Sequence, residues 1–446
     1  MERQAALPRL EVAVKRRVCI FGQGFVGLPL SLSYSLRDCQ VMGVDADPSL
    51  VSRLNDAATD LQEHYLGQSI QTVLARQLQQ GRYLATTDAP AALRECSDII
   101  VTVGIPIVQG EPSLLHLKTA CQTIGRDLKR DDLVLIRSTV IPGTTEELIL
   151  PLLEAESGLR AGRDFYLAYA PERIAEGRAF EEIADMPTLV AGINAESAAR
   201  AKELLAEVCQ SEIIVADSIR AIETAKLFEN LQRDANIAIA QELARFTEAM
   251  GLDILEVIRL ANTHRRVNLL QPGPGVGGYC IPNAYHYLAK KAESLGVELP
   301  LMKLCREKNA ALPEFFAAKL EGLLQTAGKS LPQSQIAVLG LAMKDCSNDD
   351  RISPPVDICH ILLARGAAVR AYDPLVTTAY PFKVPTLPEA LRNADALLIL
   401  ARQPGFEALD CATIVELMKP GPVCLDTRSV IGREDAAGHD LVYWRI

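Results

Sequence analysis

The sequence predicts an α/β protein made of two Rossmann-like doubly wound domains joined by a long central helix. Three observations carry this. A glycine turn, GQGFVG at residues 22–27, lies between an apolar run and an apolar helical stretch, the order of a parallel sheet with a crossover helix. A second set of alternating apolar runs and helical stretches follows the TAGKSLPQS linker. Between the two sets, Ile219 to Leu260 keeps helical spacing without a proline, and only Gly251 interrupts it.

Taken in order, MERQAALPRLEVAVKRR lacks the apolar core of a signal peptide and reads as a short, partly mobile tail, which implies a cytoplasmic chain. Arg17–Phe21 is a strand, Leu28–Leu36 a helix and QVMGVDAD a second strand. Further strands are expected at SDIIVTV, DLVLIRSTV, FYLAYAP and TLVAGI, so the first domain ends near Ala216. The long helix and a shorter successor are the kind of element that joins domains and carries a subunit interface. The second pattern runs through SQIAVLGLAMK, PVDICHILLARGA, AAVRAYDP, ADALLIL and GPVCLDTRSV. GVDADP and AYDP occupy matching places at the end of each pattern's second strand, and a cleft between two such units is the natural place for chemistry.

Composition narrows the function classes. The 446 residues fit two or three domains, and 49% hydrophobic with 23% charged residues, in short runs, excludes a membrane protein. A net charge of -10 repels a phosphate backbone, so no nucleic-acid partner is expected, although a local basic pocket for a small anion remains compatible. Eleven cysteines without paired spacing read as buried thiols with one reactive exception. The six histidines show no HExxH-type spacing, so no catalytic metal is expected.

Gly22, Gly24 and Gly27, with Phe25 and Val26 between them, complete G-x-G-x-x-G after a strand and before a helix. The first glycine permits the turn, the second lets the backbone approach a pyrophosphate and the third lets helix and strand pack. Asp45, at the end of the next strand, is placed to bind a ribose 2′-hydroxyl, which favours NAD over NADP. Asp47 precedes Pro48 and reads as a helix cap. Farther on, PGPGVGGYCIPN crowds glycines, Gly277 among them, and prolines ahead of Cys280, so it is a loop. A cysteine leaving such a loop and opening a helix has its thiolate stabilised by unpaired backbone N–H groups, as a nucleophile requires.

GQGFVG, STVIPGT, PERIAEG, ETAKLFEN, the cysteine loop, GLAMK with DDRISP, and DTRSV occur in the order found in the nucleotide-sugar 6-dehydrogenases. Across nearly its whole length the chain resembles the UDP-glucose/GDP-mannose dehydrogenase family. HRRVNLLQPGPGVGGYCIP is most similar to the branch acting on UDP-N-acetylmannosamine and UDP-N-acetylglucosamine. The resemblance implies an NAD-binding domain over 1–216, a central dimerisation region with the cysteine loop over 217–322, and a UDP-sugar-binding domain over 323–446. It implies oxidation of the C6 hydroxymethyl to the acid through a thiohemiacetal and thioester on Cys280, in a homodimer, with no membrane partner.

By the same resemblance, Lys226 stabilises the developing oxyanion and Asn230, one helical turn on, hydrogen-bonds the same oxygen; Asp234 is structural. Glu172 serves as general base or positions substrate, with Glu176 second to it, and Arg173 contacts the sugar or its diphosphate. Thr139 holds an ordered water near the nicotinamide. Lys344 and Arg428 face the UDP portion, Arg351 reaches the NAD pyrophosphate, and Arg266 crosses a subunit interface to the neighbour's sugar. His264 and His286 lie near the cysteine without a role.

The chain departs from the family where Ala284 replaces the usual Asp, where Tyr279 replaces the His common in the N-acetylhexosamine branch, and in the turn VTVGIPI. Either Asn283, Tyr285 or His286 assumes the missing role, or the enzyme takes a modified sugar or stops at an intermediate oxidation level. A non-catalytic nucleotide-sugar sensor and a one-step hydroxyacid dehydrogenase without covalent catalysis are the readings from other classes.

Overall fold

The computed structural model describes residues 14–446, so most of the N-terminal tail lies outside the described residues. The chain divides into two compact units, Met1–Leu227 and Phe228–Ile446.

The first unit is an eight-stranded sheet. Its strands are β1 (Arg17–Phe21), β2 (Gln40–Val44), β3 (Tyr83–Thr86), β4 (Asp98–Val101), β5 (Leu133–Ile136), β6 (Tyr166–Tyr169), β7 (Thr188–Gly192) and β8 (Ile213–Val215). From one edge the order is β3-β2-β1-β4-β5-β6, the dinucleotide-binding order, continued by β7 and β8. Only the β6–β7 pairing is antiparallel among these neighbours. Strand order reverses between β1 and β4, where Cys19 pairs with both Met42 and Ile99, so the loops after β1 and β4 open the crevice that such sheets use for ligands.

Helix α1 (Gly27–Ser35) is buried along its whole length, which is why its sequence is apolar on every side. Leu28, Leu30 and Leu32 pack with Val18, Ile20, Val41, Ile100 and Leu135 in one core. Each buried leucine contributes about 1.5–3 kcal/mol, enough to hold the glycine turn against the sheet. Helix α2 (Pro48–Asn55) starts where Asp47 accepts a hydrogen bond from the Ser49 N–H, with Pro48 in its first turn.

Helix α3 (Ile219–Ala249) runs 31 residues and carries the chain from the first unit into the second. It stops just before Gly251, whose φ of +70° suits a left-handed terminator. Then come α4 (Ile254–Ala261), α5 (Cys280–Leu295), α6 (Pro300–Ala310), α7 (Leu312–Thr326) and α8 (Pro354–Ala364). The second sheet is wholly parallel: β9 (Gln335–Leu339), β10 (Ala368–Tyr372), β11 (Ala396–Ile399), β12 (Val423–Asp426) and β13 (Val442–Arg445), in the order β10-β9-β11-β12-β13. This is the other common doubly wound order, with its reversal between β9 and β11.

The echo between GVDADP and AYDP is physical. Asp45 at the end of β2 accepts a hydrogen bond from the Gln23 N–H at 2.7 Å, and Asp373 at the end of β10 accepts one from the Leu341 N–H at 2.7 Å. Each carboxylate clamps the turn that follows the first strand of its own sheet. Asp373 is buried and also accepts from Leu375, Val376 and Gln403, whereas Asp45 is half-buried beside an open glycine.

Candidate active site

In the first unit the glycine turn is dictated by contact. Gly22 has φ +89°, and a Cβ on Gly27 would lie 1.7 Å from the Gly22 carbonyl oxygen. Nothing stands within 4 Å of a Cβ built on Gly24, so the backbone there faces open space that a pyrophosphate can enter. Phe25 and Val26 are half-buried just before α1, whose N-terminus gives the anion its N–H groups. Asp45 is half-buried beside the turn, and these residues fit a bound dinucleotide. Gln23, buried between β1 and β2, donates to the Ile20 carbonyl and accepts from Ser31 and Tyr83, fixing the turn from behind.

Thr102, in the divergent turn VTVGIPI after β4, donates to the Phe21 and Gly22 carbonyls at 2.9 Å each. Thr139 lies half-buried in the loop after β5. That loop is tied down by Glu223 of α3, which is fully buried and accepts from the Gly143 and Thr145 N–H groups. Burial raises the Glu223 pKa, and the two N–H donors and the Thr145 hydroxyl oppose the shift. Removing that carboxylate would orphan both N–H groups at about 1–3 kcal/mol each, so Glu223 fixes the loop of Thr139 to the helix of Lys226. Lys226 is itself buried, one turn before Asn230 on α3.

Glu172 sits after β6 in an ion pair with Arg137, at 2.5 Å and with both side chains nearly buried. Its other oxygen accepts from the Arg173 and Ile174 N–H groups. A carboxylate so engaged is a strut that shapes PERIAEG. Arg173 gives one arm to the Pro187 carbonyl, and Glu176 is half-buried farther along the loop.

In the second unit Cys280 is exposed and opens α5, while every other cysteine except Cys346 is buried. No side chain caps this helix, since Tyr279 at the cap position makes no such bond. The Asn230 side-chain amide donates to the Cys280 carbonyl at 3.0 Å, which ties the cysteine to α3. The preceding glycines are required by close approach: a Cβ on Gly277 would meet the Ile352 carbonyl oxygen at 2.4 Å, and one on Gly275 would meet Pro354 at 2.6 Å. The Gly278 N–H donates to the Arg351 and Ile352 carbonyls, so the cysteine loop lies directly on DDRISP.

Arg351 makes a two-point ion pair with Asp349 and stacks over the Tyr279 ring at 4.8 Å. The tyrosine in place of histidine thus packs on an arginine of the neighbouring motif. Ala284 is fully buried and Asn283 nearly so. Asn283 hydrogen-bonds Tyr287, whose phenol burial pushes up to about 12 and whose charged form would interact with Cys280. Asp234 accepts from Arg306 at 3.0 Å and from Asn309, a buried structural network. Arg266 and His264 are exposed, and the rings of Tyr285 and His286 stack edge to face.

At the strand ends of the second sheet, Gly340 has φ +86°, and a Cβ there would lie 2.2 Å from the Ala401 carbonyl oxygen. This brings the loop of half-buried Lys344 beside that of Arg402. Arg402 donates to the Arg428 carbonyl, and Arg428 donates to the Leu400 carbonyl and pairs with Asp345 at 3.2 Å. Burial lowers the Arg428 pKa, Asp345 opposes this, and nearby Arg402 adds to it. A guanidinium remains charged regardless, so Lys344, Arg402 and Arg428 against Asp345 and Asp426 leave a positive excess for an anion.

Sequence reasoning passed over Arg137, Glu223, Tyr287 and Arg402. Arg137 and Arg402 share one signal, a position just past a buried strand in a doubly wound sheet.

A first unit with this strand order, turn and strand-end carboxylate places the protein among the NAD-binding α/β dehydrogenases. Known proteins narrow the class. Residues 16–226 match the NAD binding domain of the UDP-glucose/GDP-mannose dehydrogenase family, 220–311 its central domain and 337–433 its UDP binding domain. The chain is 33% identical over 416 residues to a UDP-N-acetyl-D-mannosamine dehydrogenase of Pyrococcus horikoshii, covering 93% of this chain and 96% of the relative. It is 28% identical over 426 residues to a UDP-N-acetyl-D-glucosamine 6-dehydrogenase of Salmonella typhi, covering 94% and 97%. A solved UDP-D-ManNAc dehydrogenase structure from Pyrococcus horikoshii superimposes with TM-score 0.88 at 31% identity, over 96% of this chain and 98% of that one. The chain belongs to the UDP-glucose/GDP-mannose dehydrogenase family, with an NAD-binding and a UDP-binding domain. Among the described residues, no helix is long and apolar enough to cross a membrane.

Proposed function

We propose that the protein oxidises the C6 hydroxymethyl of a UDP-N-acetylhexosamine to the uronic acid in two hydride transfers, with Cys280 holding the carbon between them. The observation that carries this reading is the exposed Cys280 at an uncapped helix start, delivered by a glycine loop that close approach fixes. The names of the mannosamine and glucosamine relatives support the substrate class.

When bound, NAD would supply the hydride acceptor for each oxidation, and the chain's residues do the rest. Alcohol oxidation releases one hydride and one proton. The Cys280 sulfur then bonds to the aldehyde carbon, the thiohemiacetal loses a second hydride and proton, and water cleaves the thioester to the acid and free thiol. Lys226 offsets the negative charge on the substrate oxygen, and Asn230 holds the cysteine from its carbonyl side. Glu172 is engaged by Arg137, and we assign the base role to Glu176 on the same loop. The Asn283–Tyr287 pair supplies a neutral hydrogen-bond donor in place of the family carboxylate at Ala284. Glu176→Gln is expected to slow thioester hydrolysis and accumulate acyl-enzyme detectable by mass, with Glu172→Gln acting mainly through lowered stability; the reverse pattern would return the base role to Glu172.

Ile239, Leu243 and Phe246 on α3, with Met250 just past its end, form an exposed apolar stripe at helical spacing, which supports a homodimer through this helix. Arg266, exposed in the following segment, is then available to a neighbouring subunit. Unpaired cysteines throughout the described residues support a cytoplasmic site of action.

Incubation with a panel of UDP-sugars and NAD tests the function. Two NADH per sugar and a uronic acid by mass are expected with a UDP-N-acetylhexosamine. One NADH per sugar would mean that oxidation halts early, and none with any UDP-sugar would leave the sensor reading in its place.

A further inference from the structure

Outside the site described above, the second unit brings together a sulfur from one stretch of chain and a carboxylate and an imidazole from another. Cys411 opens the short helix α9 (Cys411–Leu417), Asp435 lies in α10 (Arg433–Ala437) and His439 in the turn beyond it. One ligand atom from each lies within 4.8 Å of the other two. We propose that these residues form a site for a borderline-soft divalent cation of the zinc type, with solvent as the fourth ligand.

The donor set selects the metal. A thiolate, an imidazole and one carboxylate suit zinc, whereas magnesium and calcium require oxygen throughout. Zinc bonds of about 2.0–2.3 Å place tetrahedral ligand pairs about 3.3–3.5 Å apart. His439 Nδ1 stands 3.6 Å from Asp435 Oδ1, close to that spacing. Cys411 is fully buried while Asp435 and His439 are half-exposed, which gives an ion a way in from solvent.

Without metal the three residues satisfy one another. The Cys411 N–H donates to Asp435 Oδ2 at 2.9 Å, His439 Nδ1 meets the Asp435 carbonyl at 2.9 Å, and burial with Asp435 pushes the Cys411 thiol up to about 12. Binding replaces the thiol proton, which leaves to solvent, by a sulfur–metal bond. For Nδ1 to bind the ion it gives up the Asp435 carbonyl and carries the lone pair, with the ring proton on Nε2. A metal here would clip α10, five residues long and too short to persist alone, to the start of α9. It would thereby stiffen the connection from β12 to β13, which carries Arg428.

The full-length protein, stripped with chelator and titrated with Co2+, tests this. One equivalent per chain is expected to produce a thiolate-to-cobalt charge-transfer band in the near ultraviolet, displaced by Zn2+, and Zn2+ should raise Tm. Cys411→Ser and His439→Ala should each abolish the band and the Tm rise, while Cys280→Ser and Cys346→Ser, at the exposed thiols, should keep both. No band in the parent protein would overturn the proposal, as would a band that survives both Cys411→Ser and His439→Ala or disappears with Cys280→Ser or Cys346→Ser. If Cys411→Ser fails to fold, His439→Ala at its half-exposed position carries the test. None of these readouts depends on turnover, so this site and the dehydrogenase function stand or fall separately.

Discussion

Cys280→Ser is expected to reduce formation of the uronic acid by a factor on the order of 10³ or more, the scale seen when a covalent nucleophile is removed. The loss should be selective. Serine opens α5 with nearly the same shape, and the Cys280 carbonyl that accepts from Asn230 is untouched, so fold and ligand binding persist. The first hydride transfer needs no sulfur, and rapid mixing with UDP-sugar and NAD should show up to one NADH per site with aldehyde-level product. The parent should yield two. Acid formation by the variant at the parent rate would remove the thioester route altogether.

Arg428→Ala is expected to raise the KM for UDP-sugar by roughly 10- to 100-fold, since a charge-assisted hydrogen bond contributes about 1.5–3 kcal/mol and each 1.4 kcal/mol is a factor of ten. Its guanidinium is held by the Leu400 carbonyl and only partly balanced by Asp345, so little ordering remains to be done on binding. UDP alone should show the same weakening in a direct titration while NAD affinity stays unchanged. A variant that loses NAD affinity and keeps UDP affinity would place the diphosphate elsewhere.

The parts of the fold legible in the sequence are those where one segment carries its own signal. Central strands such as Val18–Phe21 and Ala396–Ile399 are buried on both faces and read as unbroken apolar runs. Tyr83–Thr86, Ile213–Val215 and Val442–Arg445 lie at sheet edges, half-buried or exposed for much of their length, and lack that signature. The direction of Thr188–Gly192 was equally hidden, because its apolar run is the same whether it pairs parallel or antiparallel.

The candidate site divides in the same way. Gly22, Gly27 and the glycines before Cys280 were legible because tight backbone geometry admits one residue type. Arg137, Glu223 and Arg402 were not, because their meaning comes from partners many positions away. Glu172 stood out through its motif, yet its engagement with Arg137 could be seen only in three dimensions. Cys411, Asp435 and His439 form no spacing motif, since Cys411 and Asp435 lie 24 residues apart and only the fold joins them.

The contact of Gly275 and Gly277 with Pro354 and the Ile352 carbonyl has a practical consequence for redesign. Because each surface is cut to the other at the scale of a missing methyl group, the two stretches behave as one cassette. Transplanting the cysteine loop of a relative with different sugar preference would bring in a mismatched half. Moving residues 272–280 together with 343–354 keeps donor and receiver matched, and makes the pair the smallest unit that can be exchanged without breaking that fit.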